Sequence, residues 1–133
     1  DRVYASGWIL DTGGPGTFGK QYLSLAALDA GSIKDVFSAG IYGSVNASTY
    51  CVRTYSQSWW ATSVARSTGW HEFAIEVRPF TGTDDVWFFI DGSLVGKGKR
   101  SVNWSINDIQ LGAAGVPGGI DAYYDDVSFG LTE

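Results

Sequence analysis

Turn-forming clusters recur along this chain at intervals that leave room only for short strands. They are Asp11-Thr12-Gly13-Gly14-Pro15-Gly16, Asp29-Ala30-Gly31-Ser32, Gly43-Ser44-Val45-Asn46, Thr81-Gly82-Thr83-Asp84, Asp91-Gly92 and Pro117-Gly118-Gly119. The runs between them are rich in aromatic and β-branched residues, and none keeps a helical period for more than about two turns. The pattern predicts strands near 3–10, 20–28, 34–42, 47–55, 59–65, 70–78, 85–90, 93–97, 106–111 and 121–129. Evenly spaced short strands without helices make an all-β sandwich or barrel.

Length and charge narrow the class. The 133 residues are expected to form one domain, 1–133, with one core. A chain 44% hydrophobic and 17% charged can bury that core and is not a disordered tail. The net charge of −5, with no basic cluster, argues against nucleic acid or an anionic membrane surface as partner. No apolar run approaches the roughly 20 residues of a membrane-spanning helix, so no membrane insertion is expected. The lone cysteine, Cys51, can form neither an internal disulfide nor a cysteine-based zinc site, and its strand-like surroundings read as sheet or core. The chain does not begin with Met, and is expected to be a piece of a larger secreted protein, monomeric and tethered to its neighbours.

Alternation assigns faces. On strand 70–78, His71, Phe73, Ile75 and Val77 share one side, and Trp70, Glu72, Ala74, Glu76 and Arg78 the other. The first set reads as core. On the last strand, Tyr123, Asp125, Val127 and Phe129 fall together, opposite Tyr124, Asp126 and Ser128. His71 and Asp125 therefore both land on mainly apolar faces. A buried polar group needs a partner, so one or both are expected to be satisfied inside the sandwich, for instance by each other. Asp91-Gly92, between two strand runs, predicts a two-residue hairpin with positive φ at both positions.

Three segments carry a family resemblance. Trp70-His71-Glu72-Phe73 resembles the "Gly-Trp-His" strand entry of the concanavalin A-like, laminin G-like jelly-roll superfamily. Phe88-Phe89-Ile90-Asp91-Gly92-Ser93-Leu94-Val95 resembles its "aromatic-x-Asp-Gly-x-x-Val" hairpin, and Tyr124-Asp125-Asp126-Val127 its closing "Asp-Asp-Val" strand. The motifs stand in the family's order over residues 69–129, while residues 1–68 match only in general pattern. The resemblance implies a jelly roll of two antiparallel sheets. It leaves function open, because that fold hosts lectins, carbohydrate-binding modules, glycoside hydrolases, lyases and adhesion domains.

The catalytic reading is weak. The superfamily's β-glucan-cutting enzymes resemble one another in a Glu-x-Asp-x-Glu strand, and a retaining mechanism needs two carboxyls roughly 5 Å apart. Glu72-Phe73-Ala74-Ile75-Glu76 keeps the outer acids and has Ala74 at the centre. A glycoside hydrolase using Glu72 and Glu76 is thus the least favoured function. Serine-nucleophile motifs are absent, and Gly13-Gly14-Pro15-Gly16 lacks the Lys-Ser/Thr of a phosphate loop. No cofactor is required. Jelly-roll modules often carry a structural calcium, for which Asp1, Asp84, Asp85, Asp121 and Asp126 are candidates, although no loop has calcium-binding spacing.

Sugar recognition is the leading function. Sugar rings present apolar C–H faces edged with hydroxyls, so a site needs flat rings beside directional polar groups. Six Trp and seven Tyr exceed what one small core uses. Trp59-Trp60 must split, one ring toward the core and one away. The candidate ligand-binding residues are Tyr42, Arg53, Tyr55, Trp59, Trp60, Arg66, Glu72, Glu76 and Trp104, with Arg53 and Tyr55 expected on the same ligand sheet as Glu72 and Glu76. The expected partner is a polysaccharide or oligosaccharide. The alternative is a laminin G-like structural or adhesion domain with a protein partner.

Overall fold

A computed structural model describes residues 2–14, 20–112 and 123–132. The described residues form ten strands: β1 (Arg2–Asp11), β2 (Lys20–Asp29), β3 (Ser32–Tyr42), β4 (Asn46–Thr54), β5 (Ser58–Ala65), β6 (Gly69–Val77), β7 (Val86–Ile90), β8 (Ser93–Gly98), β9 (Asp108–Leu111) and β10 (Tyr124–Thr132). They form two five-stranded antiparallel sheets, ordered β10-β1-β6-β7-β8 and β5-β4-β3-β2-β9. The fold is an all-β sandwich. Each predicted strand is found among the described residues, with its ends unchanged or moved by at most three residues.

The inward residues build one core. Ala5, Ile9, Phe73, Ile75, Val77, Val86, Phe88 and Ile90 come from the first sheet. Tyr22, Leu23, Leu25, Phe37, Ile41, Tyr50 and Val52 come from the second. Phe73 sits at the centre, with Tyr50 edge-on at 5.1 Å and Tyr22 at 5.4 Å between ring centroids. Burying each large aliphatic or aromatic side chain contributes about 1.5–3 kcal/mol. The glycines of β8 make room for the facing sheet. A Cβ on Gly98 would stand 2.5 Å from Thr54 Cγ2 and 3.2 Å from the Trp60 ring.

The hairpin between β7 and β8 turns at Asp91 (φ 50°) and Gly92 (φ 81°), as its sequence predicts. His71 is satisfied near the core edge, but not by Asp125. Its Nδ1 lies 2.7 Å from Asp91 Oδ2 and its Nε2 2.9 Å from the Ser67 carbonyl. Asp91 Oδ1 also accepts from the Glu72 backbone N–H at 2.9 Å. Two of the three motifs thus bind each other, and their residues serve the fold.

Asp125 corrects the alternation. Ser6 pairs with Ser128 but Trp8 pairs with Asp125, so β10 holds an extra residue opposite Gly7. Asp126 takes φ 47° there, the mark of a bulge. The bulge turns Tyr124 inward, where its hydroxyl donates to the Tyr22 carbonyl at 3.0 Å, and leaves Asp125 exposed on the outer face. Strict alternation does not carry across a bulge.

Candidate functional site

Strand register brings Trp59 and Arg53 onto the outer face of the β5-β4-β3-β2-β9 sheet, and stacking on Trp59 adds Tyr42. One row across that face reads Trp59, Arg53, Ser38, Ser24, Gln110. The next reads Ala61, Cys51, Gly40, Gln21. Large side chains stand toward the β5 side: Tyr42 stacks on Trp59 with ring centroids 5.2 Å apart and planes 5° from parallel. Tyr42 is on β3 and Trp59 on β5, so the stack bridges over β4. The Arg53 guanidinium lies 5.8 Å from the Trp59 ring centre, a cation–π contact. Tyr55 follows β4 and is exposed.

The floor beside these rings is made of small residues. Ser24, Ala26, Ser38, Gly40 and Cys51 are buried, although they stand on the face turned away from the core. Ser24 Oγ donates to Gln21 Oε1 at 3.0 Å and lies 2.8 Å from Ser38 Oγ. Aromatic planes, a guanidinium and a polar floor therefore share one sheet face. Arg53 Nε is buried and makes no hydrogen bond among the described residues. Ser24 and Ser38 are closed to solvent, so the half-buried rings of Tyr42 and Trp59 are what can stack against an apolar ring here, with Arg53 and Gln21 hydrogen-bonding beside it.

The floor residues were missed because Leu23-Ser24-Leu25-Ala26-Ala27-Leu28 shows almost no polar contrast. A size contrast was present: Ser24 and Ala26 alternate with Leu23 and Leu25, and Val36, Ser38 and Gly40 alternate with Phe37 and Ile41. A bulge at Tyr22 then shifts Gln21 onto the outer face, since Gln21 pairs with Gly40 while Leu23 pairs with Ala39.

The other expected site residues lie elsewhere. Trp59 and Trp60 split as alternation requires, and Trp60 is the inward one, packed edge-on against Phe88 at 5.8 Å. Arg66 is engaged by buried Asp11: Nη2 donates to Oδ1 at 3.0 Å and Nε to Oδ2 at 3.2 Å. Burial pushes the Asp11 pKa up, but Arg66, the Gly13 N–H and the Tyr50 hydroxyl outweigh it and leave it below the ordinary value. Trp104 is exposed in the loop before β9, with Lys34 Nζ 5.9 Å from its ring.

Glu72 and Glu76 do not share a face with Arg53 and Tyr55. They are on β6, in the opposite sheet, so the two outer faces point to opposite sides of the molecule. Glu76 Oε1 is held by Arg2 at 3.3 Å and Arg78 at 3.1 Å. Arg78 in turn lies 3.4 Å from the Trp87 ring centre, and Lys97 lies 4.2 Å from it.

Ser67, His71 and Asp91 form a hydrogen-bonded chain, with Ser67 Oγ 3.0 Å from His71 Nε2. The Ser67 carbonyl, which can only accept, also faces Nε2, and a carboxylate faces Nδ1. This geometry satisfies an imidazole protonated on both nitrogens. Partial burial lowers the His71 pKa, but Asp91 and the Ser67 carbonyl outweigh it and leave it raised.

Of the calcium candidates, Asp1 and Asp121 lie outside the described residues. Asp85 is buried and accepts the Thr81 and Gly82 N–H groups at 3.0 and 2.8 Å. Asp84 and Asp126 occupy positive-φ positions in a loop and in the β10 bulge. Among the described residues, no three His, Cys, Asp or Glu side chains converge to hold a metal. No protein-family model matches this chain, and neither a curated protein nor a solved structure matches it.

Proposed function

We propose that this protein is a non-catalytic carbohydrate-binding module of the concanavalin A-like jelly-roll kind, which holds a polysaccharide on the outer face of the β5-β4-β3-β2-β9 sheet. One observation carries the reading: Tyr42, Trp59 and Arg53 gather on a single sheet face that also carries Gln21, with exposed Tyr55 just past the end of β4. Stacking on a sugar ring supplies affinity, and Arg53 and Gln21 supply direction. In a larger secreted protein the module would keep its neighbours near a polymer by raising effective concentration. The reading requires no cofactor.

The laminin G-like adhesion reading would be favoured by a polar surface with every tryptophan in the core. None of the six tryptophans is fully buried, and Trp8, Trp70 and Trp104 are exposed. The hydrolase reading needs a free pair of acids, whereas Glu76 is tied to two arginines. Electrophoresis of the protein through native gels cast with different polysaccharides tests the proposal. Retardation by at least one glycan supports it, and unchanged mobility across a broad panel of neutral and acidic glycans refutes it.

A further inference from the structure

The outer face of the opposite sheet carries a second group of exposed rings, at the end marked by Trp8 and Trp70. Leu10 pairs with Trp70, and its N–H donates to the Tyr123 carbonyl at 3.0 Å, so Tyr123, Leu10 and Trp70 form one row. The next outward row is Asp125, Trp8, Glu72. Trp8, Trp70 and Tyr123 are 36%, 46% and 52% exposed. Tyr123 and Trp70 are separated by two inter-strand spacings, about 10 Å.

The same face shows how a surface tryptophan is covered when it serves the fold. Trp87 has Arg78 and Lys97 over its ring. Among the described residues, neither Trp8 nor Trp70 has a cation or a second aromatic ring against it. Two large apolar planes are left open to solvent, and Trp8 has a carboxylate on each flank.

We infer that this end of the sheet is a second carbohydrate site, selective for neutral glycans, so that one molecule can hold two polymer chains on opposite faces. The inference rests on the reading of the protein as a glycan-binding module. Rings stack on the C–H faces of sugars, and Glu72 and Asp125 accept from sugar hydroxyls. A protein partner fits less well, because acids are depleted from the centres of protein interfaces and here two of them flank Trp8. An anionic polymer would meet both carboxylates and a net charge of −5.

Calorimetric titration with neutral β-1,3- and β-1,4-glucan hexasaccharides tests this, using the full chain, a Trp8→Ala/Trp70→Ala variant and a Trp59→Ala variant. The expected result is two sites per chain, with the double variant losing one and Trp59→Ala the other. Circular dichroism should show both variants folded, since the replaced side chains stand on outer faces. A uronate hexasaccharide should not compete at the Trp8 site. A single site removed by Trp59→Ala and untouched by the double variant overturns the second site while the first reading stands. A single site with the reverse sensitivity keeps the second site and overturns the assignment of the first. No binding of either neutral glucan overturns the second site, while the first reading stands or falls on the broad polysaccharide panel. Self-association in sedimentation runs that the double variant abolishes would overturn the inference in favour of a protein interface.

Discussion

His71 Nδ1 and Asp91 Oδ2 stand 2.7 Å apart, joining the entry of β6 to the turn that follows β7. Asp91 Oδ1 holds the Glu72 N–H as well, so one carboxylate clamps two segments distant in sequence. His71 is the single histidine, which makes the pair directly measurable. Its folded pKa is raised above 6.5, so the stability it contributes is fully present below that pH. That contribution fades as pH rises through the folded value. An NMR titration of the imidazole should give a midpoint above 6.5, falling in Asp91→Asn. A wild-type midpoint at or below 6.5 would contradict the clamp.

Arg66 is expected to matter for stability rather than for ligand. Its side chain is 12% exposed and that of Asp11 3%, so removing the arginine strands a buried carboxylate. Arg66→Ala should cost about 3–5 kcal/mol in urea unfolding, as for other buried pairs broken on one side. The Asp11 pKa is lowered in the fold, so the contribution of this carboxylate is present above its unfolded value of 3.8 and is lost as pH falls through the folded one. Unchanged unfolding in the variant would show that the pair is idle.

Trp60→Ala should destabilise rather than act selectively on ligand. The ring packs edge-on against Phe88 and over the glycines of β8. Large-to-small changes at such sites cost about 3–5 kcal/mol, with the lower end apt for a half-buried ring. Thermal unfolding checks this: a melting midpoint within about 2 °C of wild type would place Trp60 outside the core.

Gly98→Ala tests the packing between β8 and β4. The added methyl would stand 2.5 Å from Thr54 Cγ2 and 3.0 Å from Gln57 Oε1. Overpacking of this kind costs about 1–3 kcal/mol. Gly31→Ala is no control, because its φ of 82° adds strain of its own. The unfolding midpoint in urea reads the Gly98 effect directly, and no change would mean that the sheets separate easily there.

The fold was legible because turn chemistry and strand period are local properties. Asp91-Gly92 states its own turn, and Phe73, Ile75 and Val77 state their own face. What stayed hidden depended on relations between strands. Asp125 was assigned inward because the bulge at Asp126 cannot be seen in a periodic pattern. Glu72 and Arg53 were put on one face because sheet membership is set by strand order, which alternation does not encode. Trp59 and Trp60 show the limit well: alternation requires that they diverge, but only the sheet to which β5 belongs decides which ring meets Phe88. Ser24 and Ser38 needed register to be seen as neighbours, 14 residues apart and 2.8 Å between hydroxyls.

The most direct measurement is the mobility of wild-type protein and Trp59→Ala in a native gel containing the polysaccharide that retards the wild type most. Trp59 stacks on Tyr42 outside the core, so its loss should leave the melting midpoint nearly unchanged, within about 1 kcal/mol of stability. Binding should fall at least tenfold, about 1.4 kcal/mol, and the gel shift should vanish. A folded Trp59→Ala variant retarded as strongly as wild type would contradict the assignment of this face.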